Sequence, residues 1–325
     1  MAQNFDFILS RLRPELEEMN RIIIRTLHTD NRMMNDVVSR YLEVKGKQIR
    51  PILVILSAKM FGEVNDEVLH AGAALEMLHN ASLIHDDVVD ETDLRRGRPT
   101  VNARMGNHFA VLMGDFFVSN ALAAGILTGS VSVVKALSDL GKELSLGEVD
   151  QICNAREHHF DEESYLAMIG QKTASLFTNC VKMGAEMAGA GPADVERMMR
   201  FGYLLGLCFQ IKDDIFDYYD DPKIGKPTGN DLREGKVTLP LLHALAVAPA
   251  EEAAAMKEMI ARGDLSGEEI SRAVEFAKVH GGIDYAYARM RAMQREAQEE
   301  LAPFPDTEQK RSFLDILEFI IARDN

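Results

Sequence analysis

Two copies of one acidic signature constrain this chain more than any other feature. Leu83-Ile84-His85-Asp86-Asp87-Val88-Val89-Asp90 and Gln210-Ile211-Lys212-Asp213-Asp214-Ile215-Phe216-Asp217 both read Asp-Asp-x-x-Asp at the end of an apolar helical run. At about 100° per residue, the first and last aspartates of each copy lie about 40° apart on one helix face, one turn from each other. Like charges at that spacing destabilise a helix unless a cation neutralises them. Carboxylate oxygens are hard ligands, and magnesium accepts a few of them together with phosphate oxygens and waters. One such run alone reads as a solvated helix face. Two copies, embedded in Ala81, Leu83, Ile84, Val88 and Val89 and in Phe209, Ile211, Ile215 and Phe216, read instead as metal clusters. Facing each other, they would cage a metal-bridged diphosphate.

The chain has 325 residues, 46% of them hydrophobic, which is ample for a large core. No Pro/Gly/Ser linker interrupts it, so residues 1–325 read as a single domain. A net charge of −15 excludes a nucleic-acid backbone as a partner. An acidic protein must handle an anionic substrate locally, through metals and a few placed basic residues. Cys153, Cys180 and Cys208 have neither metal-ligand spacing nor a paired framework, and read as reduced, mostly buried thiols of a cytoplasmic protein. Met1 to Arg25 carries Asp6, Glu15, Glu17 and Glu18 among its apolar residues, the pattern of an amphipathic helix and not of a secretory signal. Phe109 to Val134 is the most apolar stretch. Asp115, Ser119, Asn120 and several glycines interrupt it, so it reads as a helix buried on all sides and not as a membrane span.

Helical periodicity covers Val68–Val89, Val101–Leu127, Val133–Cys153, Glu163–Ala188 and Val195–Tyr218, with breakers at Gly97–Pro99, Gly189–Pro192, Asp221–Gly235 and Ala302–Pro305. β-type alternation is scarce. The fold class is therefore all-α, a bundle of long helices around a central buried one. The loop from Asp220 to Lys236 follows the second motif directly, is glycine-rich, and carries Lys223, Lys226, Arg233 and Lys236. Its position makes it a candidate lid over phosphates.

Beyond the two motifs, Gly46-Lys47-Gln48-Ile49-Arg50-Pro51, Glu76 to His85, Asp93-Leu94-Arg95-Arg96-Gly97-Arg98-Pro99-Thr100, Lys172 to Phe177 and Asp231 to Pro240 occur in order along the chain. Together they resemble the trans-polyprenyl diphosphate synthases. The resemblance implies a single large helical bundle of the isoprenoid synthase type with a central product tunnel. It also implies a prenyltransferase that condenses an allylic diphosphate, expected to be farnesyl diphosphate, with successive isopentenyl diphosphates by ionisation, condensation and elimination. On this resemblance Asp86, Asp87 and Asp90 with Asp213, Asp214 and Asp217 hold three Mg²⁺ ions. Arg95, Lys172 and Lys226 hold the allylic diphosphate, and oxygens of Lys172, Thr173 and Gln210 lie near the carbocation. Lys47, Arg50, His79 and Arg96 match the isopentenyl diphosphate site. Physics agrees in part. Pro51 favours the first turn of a helix, whose start offers N–H donors to a phosphate, and His79, seven residues before Asp86, lies about 20° from it. Arg323 resembles a C-terminal basic residue of the family, but near a terminus it is left out of the site. Asp115, taken as buried, reads as structural. A homodimer and transient membrane contact for product release are implied by the resemblance alone.

Product length in such enzymes depends on what blocks the tunnel below the first motif. Ala81 and Ser82 are small and lie one turn below Asp86, so the growing chain should pass. One turn, about 5.4 Å, roughly matches one isoprene unit. Ala73, Ala74, Ala121, Ala123 and Ala124 leave further room above a floor of Met77, Phe116 or Phe117, although small residues at helix crossings also simply permit close packing. The resemblance points to a long-chain synthase of the octaprenyl type, serving quinone side chains. A class I terpene cyclase would share the first motif, but it would carry an Asn, Ser/Thr and Glu second motif and no isopentenyl diphosphate site. An accessory subunit should have lost some of these residues. A catalytic subunit that depends on a partner stays open.

Overall fold

The computed structural model describes residues 2–44, 46–157, 160–219 and 228–323, with the side chains of 2–4 and 155–157 excluded. Lys226 and Lys223, assigned to the candidate lid, lie outside these residues. The chain divides into two compact units. One comprises Met1–Lys142, Leu176–Gly202 and Glu300–Ile316; the other comprises Glu143–Ser175, Tyr203–Glu299 and Leu317–Asn325. The division falls inside helices and not in loops.

In the first unit the helix Asp66–Val89 carries the first motif at its C-terminal end. It starts where Asn65 accepts a hydrogen bond from the Val68 amide at 2.9 Å, and Asp66 and Glu67 in its first turn complement the helix dipole. Its chief neighbour is Asn107–Leu127, and it also touches Arg13–Thr26 and Ile49–Phe61. Glycines set these approaches. A Cβ on Gly72 would lie 2.3 Å from the Met19 methyl, and one on Gly114 would lie 2.2 Å from the His85 ring. His85 is thus lodged over Gly114, 3.2 Å from the Val111 carbonyl and 3.4 Å from Asp115.

The central buried helix is not the one the sequence suggests. Ile49–Phe61 and Asp66–Val89 are the deeply buried helices. Asn107–Leu127 is the one helix among the described residues long and apolar enough to cross a membrane, yet it is buried along one side only. Val111, Leu112, Ile126 and Leu127 stand exposed on it, and so does Asp115. Composition registers apolar content but not which face finds a partner, which is why the expectation of burial on all sides fails. The expected run Val101–Leu127 is also broken, because Gly106 at φ 83° separates Val101–Met105 from Asn107–Leu127.

Short pairing exists after all. Leu94–Arg95 and Arg98–Pro99 form an antiparallel hairpin whose two turn residues, Arg96 and Gly97, both have positive φ (52° and 73°). Arg96 is therefore held in a conformation that costs an L-residue about 1–2 kcal/mol. Its guanidinium lies over Gly46, where a Cβ would meet Nη2 at 2.7 Å.

In the second unit the helix Leu239–Val247 packs on Glu162–Ile169, Ala250–Ala261 and Gly267–Val279. Pro192–Phe216 carries the second motif at its end. The expected helix Glu163–Ala188 contains a π-helical turn, Gly170–Ala174, between Glu162–Ile169 and Ser175–Met187.

Helix Ile49–Phe61 meets Ser175–Met187 at Gly184, where a Cβ would fall 2.3 Å from the Val54 carbonyl oxygen. Ser57 Oγ donates to the Val181 carbonyl at 2.6 Å one turn away. Gly184→Ala is expected to lower unfolding stability by about 1–3 kcal/mol through overpacking. Chemical denaturation checks this, and an unchanged midpoint would contradict the close approach.

Candidate active site

The two motifs share one design. In each, the second aspartate turns inward and is anchored, and the first is left partly open. Asp87 has a side chain 3% exposed and accepts from Arg95 Nε at 2.8 Å. Its backbone carbonyl accepts from Asn102 Nδ2 and the Thr92 amide. Asp86 and Asp90 remain half-exposed at the C-terminal end of the helix. That end carries the negative pole of the dipole, so acidic groups there call for a cation.

In the second motif Asp214 is buried. Its Oδ2 accepts from the Tyr165 hydroxyl at 2.6 Å and its Oδ1 from Gln210 Nε2 at 2.8 Å. Burial pushes its carboxyl up to about 7, against the lowering effect of those two donors. Gln210 Oε1 in turn accepts from Thr173 Oγ1 at 2.7 Å. Asp217 caps a short helix, Asn230–Arg233, with both oxygens, which accept the Asn230 and Asp231 amides at 2.9 and 3.1 Å. Asp231 is itself pushed well above the usual carboxylate range by burial and by Asp214 and Asp217.

Asp213, 40% exposed, bonds to Arg323 Nη2 at 2.5 Å. The Arg323 guanidinium is 7% exposed, donates to the Phe209 carbonyl at 3.1 Å, and lies over the rings of Phe209 and Phe216. A terminal position predicts no place in the site for Arg323. It is instead packed into the second motif and neutralises the aspartate that a metal would use. Sequence distance from the end carried no information about this contact.

Lys172 and Thr173 sit in the π-helical turn, a feature that recurs at functional sites. Lys172 Nζ pairs with Glu148 and donates to Gln151 Oε1 at 3.1 Å. Lys172, Thr173, Gln210 and Asp214 all line one cavity of about 280 Å³. Tyr165, Glu148 and Gln151 hold these residues in place and had no distinguishing signal in the sequence.

The expected isopentenyl diphosphate residues cluster in part. Arg50 Nη1 donates to His79 Nε2 at 2.8 Å. Burial, with Arg50, Arg96 and Arg95 nearby, holds His79 well below its usual range, so the ring is neutral and its other nitrogen carries the proton. Glu76, raised by burial, stands within electrostatic reach of Arg50 and Arg96. Lys47 lies two residues before the helix Ile49–Phe61, with Gln48 between at φ 52°. Below the first motif, Ala81 is buried and Ser82 Oγ donates to the His79 carbonyl. Ala73, Ala74, Met77, Phe117, Ala121 and Ala124 are buried. Ala123 is exposed and drops out of the expected lining, because it lies on the open side of its helix.

Among the described residues no three His, Cys, Asp or Glu converge tightly enough to hold a metal by themselves. Magnesium rarely asks for that, since it takes one or two carboxylates and completes its shell with phosphate and water. Asp86 and Asp90, and Asp213 beside the Arg323 guanidinium, fit that habit.

Two measurements follow from the second motif. Asp214 has a folded-state value above the ordinary 3.8, so its protonated form favours the fold. Its contribution is fully present below about 4 and is lost as pH rises through about 7. In metal-free protein, Asp214→Asn should therefore flatten the fall in unfolding stability over that window, and an unaltered pH profile would contradict its burial. Arg323→Gln should lower metal-free thermal stability and strengthen, several-fold, the binding of Mg²⁺ or Mn²⁺ read by thermal shift. Unchanged metal dependence would show that the pair does not compete with a metal.

Comparison with known proteins places the chain in a family. Residues 31–277 match the model of the polyprenyl synthetase family. The chain is 33% identical over 312 residues to an octaprenyl diphosphate synthase of Haemophilus influenzae, covering 96% of this chain and 94% of that one. It superposes on a decaprenyl diphosphate synthase from Rhodobacter capsulatus with a TM-score of 0.93 at 31% identity, covering 99% of each chain. A polyprenyl synthase from Caulobacter crescentus, solved with calcium and isoprenyl diphosphate, gives 0.92 at 30% identity, covering 99% of this chain and 98% of that one. By sequence and by fold, the chain belongs to the polyprenyl synthetases, a family of prenyltransferases.

Proposed function

We propose that this prenyltransferase is a long-chain synthase that extends an allylic diphosphate, farnesyl diphosphate in the first instance, with isopentenyl diphosphate, for quinone side chains. The observation that carries the reading is the paired arrangement of one buried and one half-exposed aspartate in each acidic motif. Asp86, Asp90 and Asp213 are the Mg²⁺ ligands in this reading, with three ions per site, while Asp87, Asp214 and Asp217 fix the backbone and side chains beside them. Bound magnesium would supply charge neutralisation for the departing diphosphate.

The chain's own groups do the rest. Arg95, Lys172 and Lys226 bind the allylic diphosphate, and Lys172 leaves Glu148 to do so. Gln210 is oriented by Asp214, so its Oε1 accepts a hydrogen bond from the Thr173 hydroxyl. The lone pairs of Thr173 Oγ1 are then turned outward, where they stabilise an allylic cation. Lys47, Arg50 and Arg96 bind isopentenyl diphosphate. Neutral His79 orients Arg50 as an acceptor and adds no positive charge of its own. Small Ala81 and Ser82 let the product past the first turn. The octaprenyl and decaprenyl products named for the relatives support a long chain.

The division into units inside continuous helices supports a single functional domain over 1–325. The exposed apolar stripe of Val111, Leu112, Ile126 and Leu127 supports a homodimer. A cytoplasmic enzyme with transient membrane contact would serve a product of such low solubility.

The test is incorporation of labelled isopentenyl diphosphate onto farnesyl diphosphate with Mg²⁺, products being resolved by length after dephosphorylation. A single product of about eight units is expected, reduced at least about 100-fold by Asp86→Ala. Replacing Ala81 with Phe should shorten it. No incorporation, or a cyclic hydrocarbon, would overturn the reading.

A further inference from the structure

A second cavity, of about 470 Å³, opens beside the first motif, within the unit that carries it. It lies between the helix Arg32–Leu42, the outer face of Asp66–Val89, and the segment from the hairpin to Met105. Its size falls within the roughly 300–1,000 Å³ of small-molecule sites. It is not the space beneath Ala81. Asn80, Leu83 and Asp87 line it, and their shared helix face is turned about 130° from Ala81.

Two features define its chemistry. The floor is apolar, with Val37, Leu83, Val101 and Met105, beside the ring of Tyr41. Five arginines, Arg40, Arg95, Arg96, Arg98 and Arg104, surround it, in a chain whose net charge is −15. Three of them are engaged. Arg95 holds Asp87, Arg98 pairs with the exposed Glu43 at 3.2 Å, and Arg96 donates to the Val44 carbonyl at 3.3 Å. Arg40 and Arg104 make no ion pair among the described residues. Guanidiniums gathered around one opening, with Asp36 and Asp87 the only lining carboxylates, form a positive field that an anion would complement. An apolar floor beneath such a rim fits an amphiphile, with its anionic head on the rim and its hydrocarbon on the floor.

We propose that this cavity is a second binding site for a short prenyl diphosphate, adjoining the site of chain elongation and sharing Arg95 and Arg96 with it, and that occupancy inhibits the enzyme. The choice of ligand class rests on the function proposed above; the cavity and its charge do not. The inhibitory sign follows from Arg95, which is at once a wall of the cavity and the partner that anchors Asp87. A diphosphate drawing Arg95 toward the rim would weaken its 2.8 Å bond to Asp87, whose neighbour Asp86 is a proposed metal ligand.

The test is calorimetric binding of farnesyl thiodiphosphate to the full chain in EDTA, with isopentenyl diphosphate saturating the other metal-independent site. One equivalent is expected to bind. Arg40→Ala with Arg104→Ala should weaken it about tenfold or more, and Val37→Trp, which fills the floor, should abolish it. Steady-state assays with Mg²⁺ should show inhibition at high farnesyl diphosphate in the wild type and its relief in both variants, with turnover at low substrate retained. Retained turnover also reports that each variant folds. No metal-independent binding, binding indifferent to these substitutions, or equal binding of inorganic diphosphate would overturn the proposal. Absence of turnover in the wild type would instead overturn the proposed function while leaving the binding measurement interpretable.

Discussion

The rest of the site depends on a single electrostatic problem: how to keep three carboxylates together at the end of an apolar helix. Each motif solves it by dividing labour. The middle aspartate is withdrawn into the protein and given fixed donors, Arg95 for Asp87 and Tyr165 with Gln210 for Asp214. The solutions differ in charge. Asp87 meets a guanidinium, whereas Asp214 meets only neutral donors, and burial drives it up to about 7. The first aspartate stays half-exposed, and in the second motif Arg323 pairs with it.

The same anchors organise the surroundings. Asn102 holds the Asp87 carbonyl and, with Thr100, ties the segment after the hairpin to the motif helix. The hairpin turn places Arg96 over Gly46, which brings the start of the helix Ile49–Phe61, with Arg50, into the neighbourhood of His79. On the other motif the hydrogen-bond chain from Thr173 through Gln210 to Asp214 couples the π-helical turn to the motif helix. Residues far apart in sequence thus converge through short, directional contacts, which is what a charged transition state requires of its binding groups.

The all-α class and the motif helices were legible in the sequence because helical period and motif register are local properties; the resemblance grouped Arg50 with His79 at one site but did not give their contact. What was hidden was decided by tertiary partners. The exposed side of Asn107–Leu127 looks buried in composition because an apolar residue does not declare whether a neighbour covers it. Gly106 breaks a run that periodicity alone continues, and the π-helical turn at Gly170 leaves no compositional mark. Arg323 lies where termini usually fray, yet two phenylalanines and a carboxylate hold it. Tyr165, Glu148 and Gln151 act only through residues far away in the chain, so no spacing rule finds them.

The most direct test of this account is a crystal structure with Mn²⁺ and farnesyl thiodiphosphate, read by anomalous scattering. Manganese peaks are predicted against Asp86 and Asp90 and against Asp213, with Arg323 displaced from Asp213 and with Asp87 and Asp214 still held by Arg95, Tyr165 and Gln210. Metal bound through Asp87 or Asp214 with those anchors broken, or no metal at either motif, would contradict the division of labour on which the account rests.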